Sequence, residues 1–136
     1  MSAPSAPRRP GRPRIVIPDD FVGLFADLVE LDALRAVGEV VRHTDRPADV
    51  GAVAARLAGA SAAITVRAAF TRFSDDLLAA LPDLRLVAVA GTGTQDVDVG
   101  AATRLGIAVA NAAGASARSV AETTIGLVLA LAHQIP

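Results

Sequence analysis

The chain has no cysteine, no lysine and no long apolar run. Without thiols there is no disulfide framework, no thiolate metal site and no cysteine nucleophile. Imidazole chemistry is confined to His43 and His133. No apolar stretch reaches the roughly 18 residues of a membrane helix, and the N-terminus lacks the apolar core of a secretory signal. A soluble cytoplasmic protein is expected. An excess of charge of one sign is also missing. The 13 basic residues, all arginine, face 14 acidic ones, for a formal net charge of −1. That excludes a strongly basic nucleic-acid binder and an acidic tail protein. What is present is apolar content, 52% against 20% charged over 136 residues. That is enough to build one small domain with a core and an extra element. The dominance of alanine and arginine reads as genome composition.

Residues 1–13 (MSAPSAPRRPGRP) hold Met1 as their one sizeable apolar side chain. Rich in Pro, Ser and Arg, they cannot offset their ordering entropy and read as a disordered tail. A polyanion contact through Arg8, Arg9, Arg12 and Arg14 is the competing reading. From Arg14 the pattern changes. Arg14–Pro18 (RIVIP) is a short β-branched run, the signature of a buried strand. Leu24, Phe25, Leu28, Leu31, Leu34 and Val37 recur at helical spacing. They predict a helix over 21–37 with a break near Leu31 and a stop at Gly38. Further strands are predicted at 39–44, 62–66, 85–90 and 107–110. Helices are predicted at 48–57, from Ser74 to Pro82, from Asp98 to Leu105, and from Ser116 or Arg118 to His133. Ser74 and Asp98 are the candidate N-caps, and Gly106 the left-handed residue that ends a helix. Strand and helix alternate five times, and short strands apolar on both faces need helices on both sides. The predicted fold is α/β: a flavodoxin-like, doubly wound, parallel five-stranded sheet followed by a long helix. Its ligand crevice lies at the carboxyl ends of the strands.

The crevice rule selects four loops: Asp19-Asp20, Arg67-Ala-Ala69, Gly91-Thr-Gly-Thr-Gln-Asp96 and Asn111-Ala-Ala-Gly114. Asp19-Asp20 suggests a phosphoacceptor, but that chemistry also needs an acid after the third strand and a lysine after the fifth. Val66-Arg67 and the absence of lysine exclude it. The two acids are expected to cap and solvate the start of the first helix. Gly91-Thr-Gly93 is not a dinucleotide fingerprint, because Asp96 stands where the third glycine belongs. The strand that follows ends at Asn111 without an acid for a ribose. Two glycines do let the backbone approach a ligand closely, and successive N–H groups in such a turn form an anion nest. Arg67, from the neighbouring strand end, would add charge and a fork of donors. Together they suggest a small-carboxylate site; the competing reading is a tight turn beside a surface arginine. His43 reads as packed or exposed rather than catalytic. His133, in the last helical turn, suits the C-terminal carbonyls, and Glu122 reads as a surface or interface carboxylate. No Ser-His-Asp set, metal spacing or paired-carboxylate geometry emerges.

The run VAVAGTGTQDVDVGAATRLGIAVAN (87–111), followed by SVAETTIGLVLALA (119–132), resembles the D-isomer-specific 2-hydroxyacid dehydrogenases, the phosphoglycerate-dehydrogenase-like family. The resemblance covers residues 14–136, and Pro18-Asp-Asp20 fits a subgroup. It implies a flavodoxin-like substrate domain at 14–111, with 112–136 a crossover helix opening a Rossmann cofactor domain. The family's glycine fingerprint and its catalytic Arg, Glu and His come after that helix. The resemblance therefore implies an amino-terminal fragment with no catalytic residue of its own. Glu122 is not the family's catalytic Glu, nor is His43 or His133 its catalytic His. The implied substrate contacts are Arg67, Gly91, Thr92, Gly93 and Asp96, and the implied nicotinamide contacts are Thr92 and Val120.

There are departures from the family pattern. Ala68 replaces a common Ser, one extra residue falls between Arg67 and Leu78, and Ala112-Ala-Gly114 replaces Thr-Pro-Gly. Gln95-Asp96 replaces the usual Asp-Asn, and a negative Asp96 disfavours a nearby substrate carboxylate unless it is paired. The implied activity is hydride transfer between NAD or NADP and a 2-hydroxy or 2-keto acid. The implied full-length form is a homodimer with no nucleic-acid or membrane partner, and the 136-residue chain alone is expected to be inactive. The alternative is a stand-alone flavodoxin-like module that binds a small carboxylate or a partner without catalysis.

Overall fold

The computed structural model describes residues 11–66 and 70–135. Five strands are present: β1 (Arg14–Ile17), β2 (Glu39–Arg42), β3 (Ala62–Val66), β4 (Leu86–Ala90) and β5 (Ala108–Asn111). They alternate with α1 (Glu30–Val37), α2 (Val50–Leu57), α3 (Asp75–Ala79), α4 (Val99–Arg104) and α5 (Ala117–Ala132). All pairings are parallel, and the order β2-β1-β3-β4-β5 is the flavodoxin-like order that the alternation predicts.

Strand register assigns each side chain to a face. Val41, Val16, Ala63, Val87 and Val109 stand opposite one another across the sheet. On that face Val53 and Leu57 of α2, Leu77 and Leu78 of α3, and Ala101 and Ala102 of α4 close the main core. The other face carries Ile15, Ile17, Ala62, Ile64, Leu86, Ala88, Ala108 and Ala110. Here a small cluster of Ile17, Phe25 and Leu31 forms the cover, with Leu34, Ile64 and Val66 at its margin. Towards β4 and β5 the cover stops. Leu86 and Ala88 are half-buried, and Ala90, Ala108 and Ala110 are exposed. The expectation of helices on both sides is met fully on one face and at one end of the other.

The caps follow from the sequence. Asp49, Ser74 and Asp98 accept from the amides of Ala52, Leu77 and Ala101 at the starts of α2, α3 and α4. Gly106, at φ +71, ends α4 in the left-handed conformation, and Ile107 N reaches back to Ala102 O at 2.8 Å. The expected helix over 21–37 is shorter than its apolar spacing implied. Gly23 takes φ +72, so residues 21–29 form successive turns and α1 begins only at Glu30. Residues 1–10 of the expected tail lie outside the described residues. Order begins before Arg14, since Arg12 Nη2 donates to Ala36 O at 3.3 Å and Pro13 O accepts from Glu39 N at 2.8 Å.

Candidate functional site

β1, β3 and β4 are neighbours in the sheet, so the loops leaving their carboxyl ends share one edge. Asp19 and Asp20 follow β1 and both are buried. Asp20 Oδ1 accepts from Leu24 N at 2.7 Å, and Oδ2 from Phe25 N at 3.1 Å and Arg42 Nη1 at 2.9 Å. Asp19 Oδ2 accepts from Thr71 N at 2.7 Å, tying β1 to the loop after β3. This corrects the expected solvation of the two acids. Asp20 caps a run of turns from inside the fold, with an arginine as counter-charge, and Asp19 joins two crevice loops.

The loops after β3 and β4 are zipped together. Phe73 N donates to Asp96 O at 2.8 Å and Asp98 N to Phe73 O at 2.9 Å, forming a parallel bridge between Phe73 and Val97, both buried. The bridge brings Arg72 beside Asp96, with Arg72 Nε 3.7 Å from Asp96 Oδ1. The arginine side chain is 82% exposed and the carboxylate 19%. The counter-charge that Asp96 needs is thus present, supplied by the loop that carries the extra residue. Sequence reasoning missed Arg72, because a pairing across two loops depends on their register. Arg72, Ser74, Gln95, Asp96 and Asp98 line a shallow cleft of about 300 Å³ backed by Phe73 and Val97.

The glycine loop is held from one side. Gly91 N donates to Val89 O at 2.9 Å, so that amide turns back onto β4. Asn111 Nδ2 donates to Thr92 O at 2.8 Å and Ala112 N to Gly91 O at 2.9 Å. The exit of β5 thus pins the loop's carbonyls, while the Thr92 and Gly93 amides have no acceptor among the described residues. A Cβ on Gly93 would run into the Gln95 side-chain amide. Gly93 has an ordinary φ and the Gln95 side chain is free to swing aside, so neither torsion nor backbone contact demands glycine here.

Arg67 and its neighbours Ala68 and Ala69 lie outside the described residues. Arg67 directly follows β3, which ends at Val66. Val120 sits in the first turns of α5, 59% exposed. Glu122 pairs with Arg118 at 2.8 Å as a surface carboxylate, and His133 caps the C-terminal end of α5. Among the described residues no acid, histidine or cysteine cluster could hold a metal ion, and no helix is long and apolar enough to cross a membrane.

His43 is packed, as expected. Its amide donates to Ile17 O at 2.9 Å, its carbonyl accepts from Asp20 N at 2.8 Å, and Nε2 is buried without a partner among the described residues. Burial, then Arg56 and more weakly Arg14, against an opposing Asp45, hold the imidazole below its ordinary 6.5. The unfolded chain therefore binds this proton more readily than the folded one. The contribution of His43 to stability is complete above about pH 6.5 and is lost as pH falls below it. His43→Leu should flatten the pH dependence of stability as pH falls below about 6.5. Urea midpoints at several pH values check this, and a wild-type slope retained in the variant contradicts it.

The catalytic-domain profile of the D-isomer specific 2-hydroxyacid dehydrogenases matches residues 20–130. The chain belongs to this family. It is 40% identical over 117 residues to the D-3-phosphoglycerate dehydrogenase of Mycobacterium bovis, covering 85% of the chain and 22% of that protein. To the D-3-phosphoglycerate dehydrogenase of Homo sapiens it is 44% identical over 73 residues, covering 54% of the chain and 14% of that protein. A solved phosphoglycerate oxidoreductase from Vibrio cholerae superposes with a TM-score of 0.69 at 27% identity, covering 88% of the chain and 37% of its own. A second solved relative is an NADPH-dependent glyoxylate/hydroxypyruvate reductase from Sinorhizobium meliloti, in complex with NADP and malonate. It superposes with a TM-score of 0.63 at 31% identity, covering 88% of the chain and 34% of its own. The chain thus spans about a fifth of the M. bovis protein and about a third of the two solved chains.

Proposed function

We propose that this chain is the substrate-binding part of an NAD(P)-dependent D-2-hydroxyacid dehydrogenase. The observation that carries the reading is the pair of unspent amides at Thr92 and Gly93, in a loop whose carbonyls are pinned to β5. Such a loop presents donors, not acceptors, to the crevice, and so suits a carboxylate. Arg67 is the charged partner at the neighbouring strand end, and Gly91 contributes close approach rather than a donor. Asp96, with its charge balanced by Arg72, orients the substrate without repelling its carboxylate. Thr92 and Val120, both exposed, offer a hydroxyl and an apolar surface to a nicotinamide ring. When bound, that ring supplies or accepts the hydride at the substrate's C2. In this reading residues 14–111 are the substrate domain, and 112–136 open the cofactor domain. The full-length form is a cytoplasmic homodimer, consistent with an α5 that has no buried residue.

By the family resemblance, the dinucleotide fingerprint and the catalytic Arg, Glu and His are expected outside these 136 residues. The chain alone should therefore bind a small 2-keto acid or malonate weakly and saturably. In a ¹⁵N NMR titration the Thr92 and Gly93 amides should shift most. NADH oxidation with a panel of 2-keto acids should stay at blank. Turnover above blank, or shifts that bypass residues 91–96, would overturn the reading.

A further inference from the structure

Asp19 is a buried carboxylate for which substrate binding as described has no use. It follows the interior strand β1, is 2% exposed, and its Oδ2 accepts from Thr71 N at 2.7 Å. β1 and β3 are neighbours in the sheet, so this bond ties the end of β1 to the loop that follows β3. A charged acceptor in a low dielectric holds an amide more firmly than a neutral one. Thr71 and Phe73 are buried, and Arg72 between them is exposed, the alternation of an extended chain. Phe73 is the second anchor, through its amide to Asp96 O and its carbonyl to Asp98 N. Arg72 is thus presented to the crevice between two buried anchors. The Thr71 hydroxyl takes no part, since Oγ1 is buried without a partner among the described residues.

From this wiring we propose that Asp19 is a positioning residue of the substrate crevice: by holding the Thr71 amide it keeps Arg72 beside Asp96, and so keeps the Asp96 charge from repelling an incoming carboxylate. The ion pair cannot hold itself in place. Its contact is 3.7 Å, the arginine side chain is 82% exposed, and a long exposed side chain gains little from one such partner. Backbone placement of Arg72 must therefore supply the proximity, and Asp19 is the anchor on its N-terminal side. Asp96 is the vulnerable member of the pair. Its side chain is only 19% exposed, so water replaces a lost guanidinium poorly, and it shares a short loop with the unspent Thr92 and Gly93 amides. Asp19 touches neither substrate nor cofactor in this account and acts through Thr71 and Arg72. The inference rests on the reading of Thr92 and Gly93 as the carboxylate site.

The test has two arms, both on the 136-residue chain. The first needs no ligand. In ¹⁵N spectra of Asp19→Ala, the Thr71 and Phe73 amides and the Arg72 Nε–H should shift, whereas Asp19→Asn, which keeps an acceptor, should leave Phe73 and Arg72 close to their original positions. If Asp19→Ala does not fold, Asp19→Leu fills the space without an acceptor and takes its place. The second arm is a double-mutant cycle read by malonate titration. Asp19→Ala should raise the Kd for malonate about fivefold to tenfold, the effect of one uncompensated charge near the ligand. With Asp96→Asn already in place, the same change should raise it less than about twofold. A merely structural Asp19 would cost the same in both backgrounds. Thr71→Val keeps the amide and should bind malonate as the unaltered chain does. An Arg72 Nε–H unmoved by Asp19→Ala, equal losses in the two Asp96 backgrounds, or a Thr71→Val loss as large as that of Asp19→Ala would overturn the inference. Failure of the underlying reading looks different: malonate shifts in the unaltered chain would bypass residues 91–96, while the first arm would still report whether Asp19 places Arg72.

Discussion

Asp20→Ala is expected to destabilise the fold by about 3 kcal/mol, the largest single-residue loss at the crevice. The side chain is fully buried, and its two oxygens accept from two backbone amides and from Arg42. Removing it strands the buried Phe25 amide, frees the turn that replaces the first half of the expected helix, and leaves Arg42 without its counter-charge. Arg42 is 29% exposed and can recover some hydration, which keeps the loss below that of a fully enclosed ion pair. Asp20→Asn keeps the shape and an acceptor and should lose about half as much. Asp32→Ala is the contrast. Its pair with Arg35 has the same kind of 2.8 Å contact, but its side chains are 57% and 76% exposed, and the change should cost under about 0.5 kcal/mol. Urea unfolding of the three variants checks the order. Equal losses for Asp20→Ala and Asp32→Ala would show that water replaces the Asp20 contacts.

The fold was legible because its signals are local and repeated. Each strand is a short β-branched or alanine-rich run, and three of the helices begin at Asp49, Ser74 or Asp98, residues whose side chains accept from the first-turn amides. Alternation then limits the topology to a parallel sheet. The segment 21–29 was misread because apolar spacing at Leu24, Phe25 and Leu28 cannot report that Gly23 is left-handed, or that a buried acid four residues earlier draws the Leu24 amide aside. Burial of one residue, Phe25, is all that the segment contributes to the core.

The crevice was legible in its loops but not in its wiring. The glycines, the carboxyl-end rule and the family motif located Gly91–Asp96. That Gly91 spends its amide on Val89, that Asn111 pins Thr92, and that Asp19 holds Thr71 all depend on contacts between segments remote in sequence. The same holds for the Arg72–Asp96 pair, which answers a departure from the family pattern with another departure. The half-covered second sheet face was also hidden, because strand composition shows that both faces are apolar and not which helix is available to cover them.

The Asp19–Thr71 tie bears on the candidate substrate arginine. Thr71 is fixed at 2.7 Å to a buried acid and Phe73 is bound to Asp96, so the loop that begins at Arg67 is anchored at its far end. In a complete enzyme rebuilt around this chain, Arg67→Ala should remove roughly 1.5–3 kcal/mol of charge-assisted binding, about tenfold to a hundredfold in kcat/KM. Most of the loss should fall on KM, since the carboxylate is held in the ground state as well as the transition state. Arg72→Ala should cost less, because Arg72 acts through Asp96, and Asp96→Asn in the same chain should restore most of that loss. An Arg67→Ala enzyme with wild-type kcat/KM would make Arg67 a surface residue. An Arg72→Ala loss equal to that of Arg67→Ala, and not rescued by Asp96→Asn, would instead make Arg72 the residue that holds the substrate.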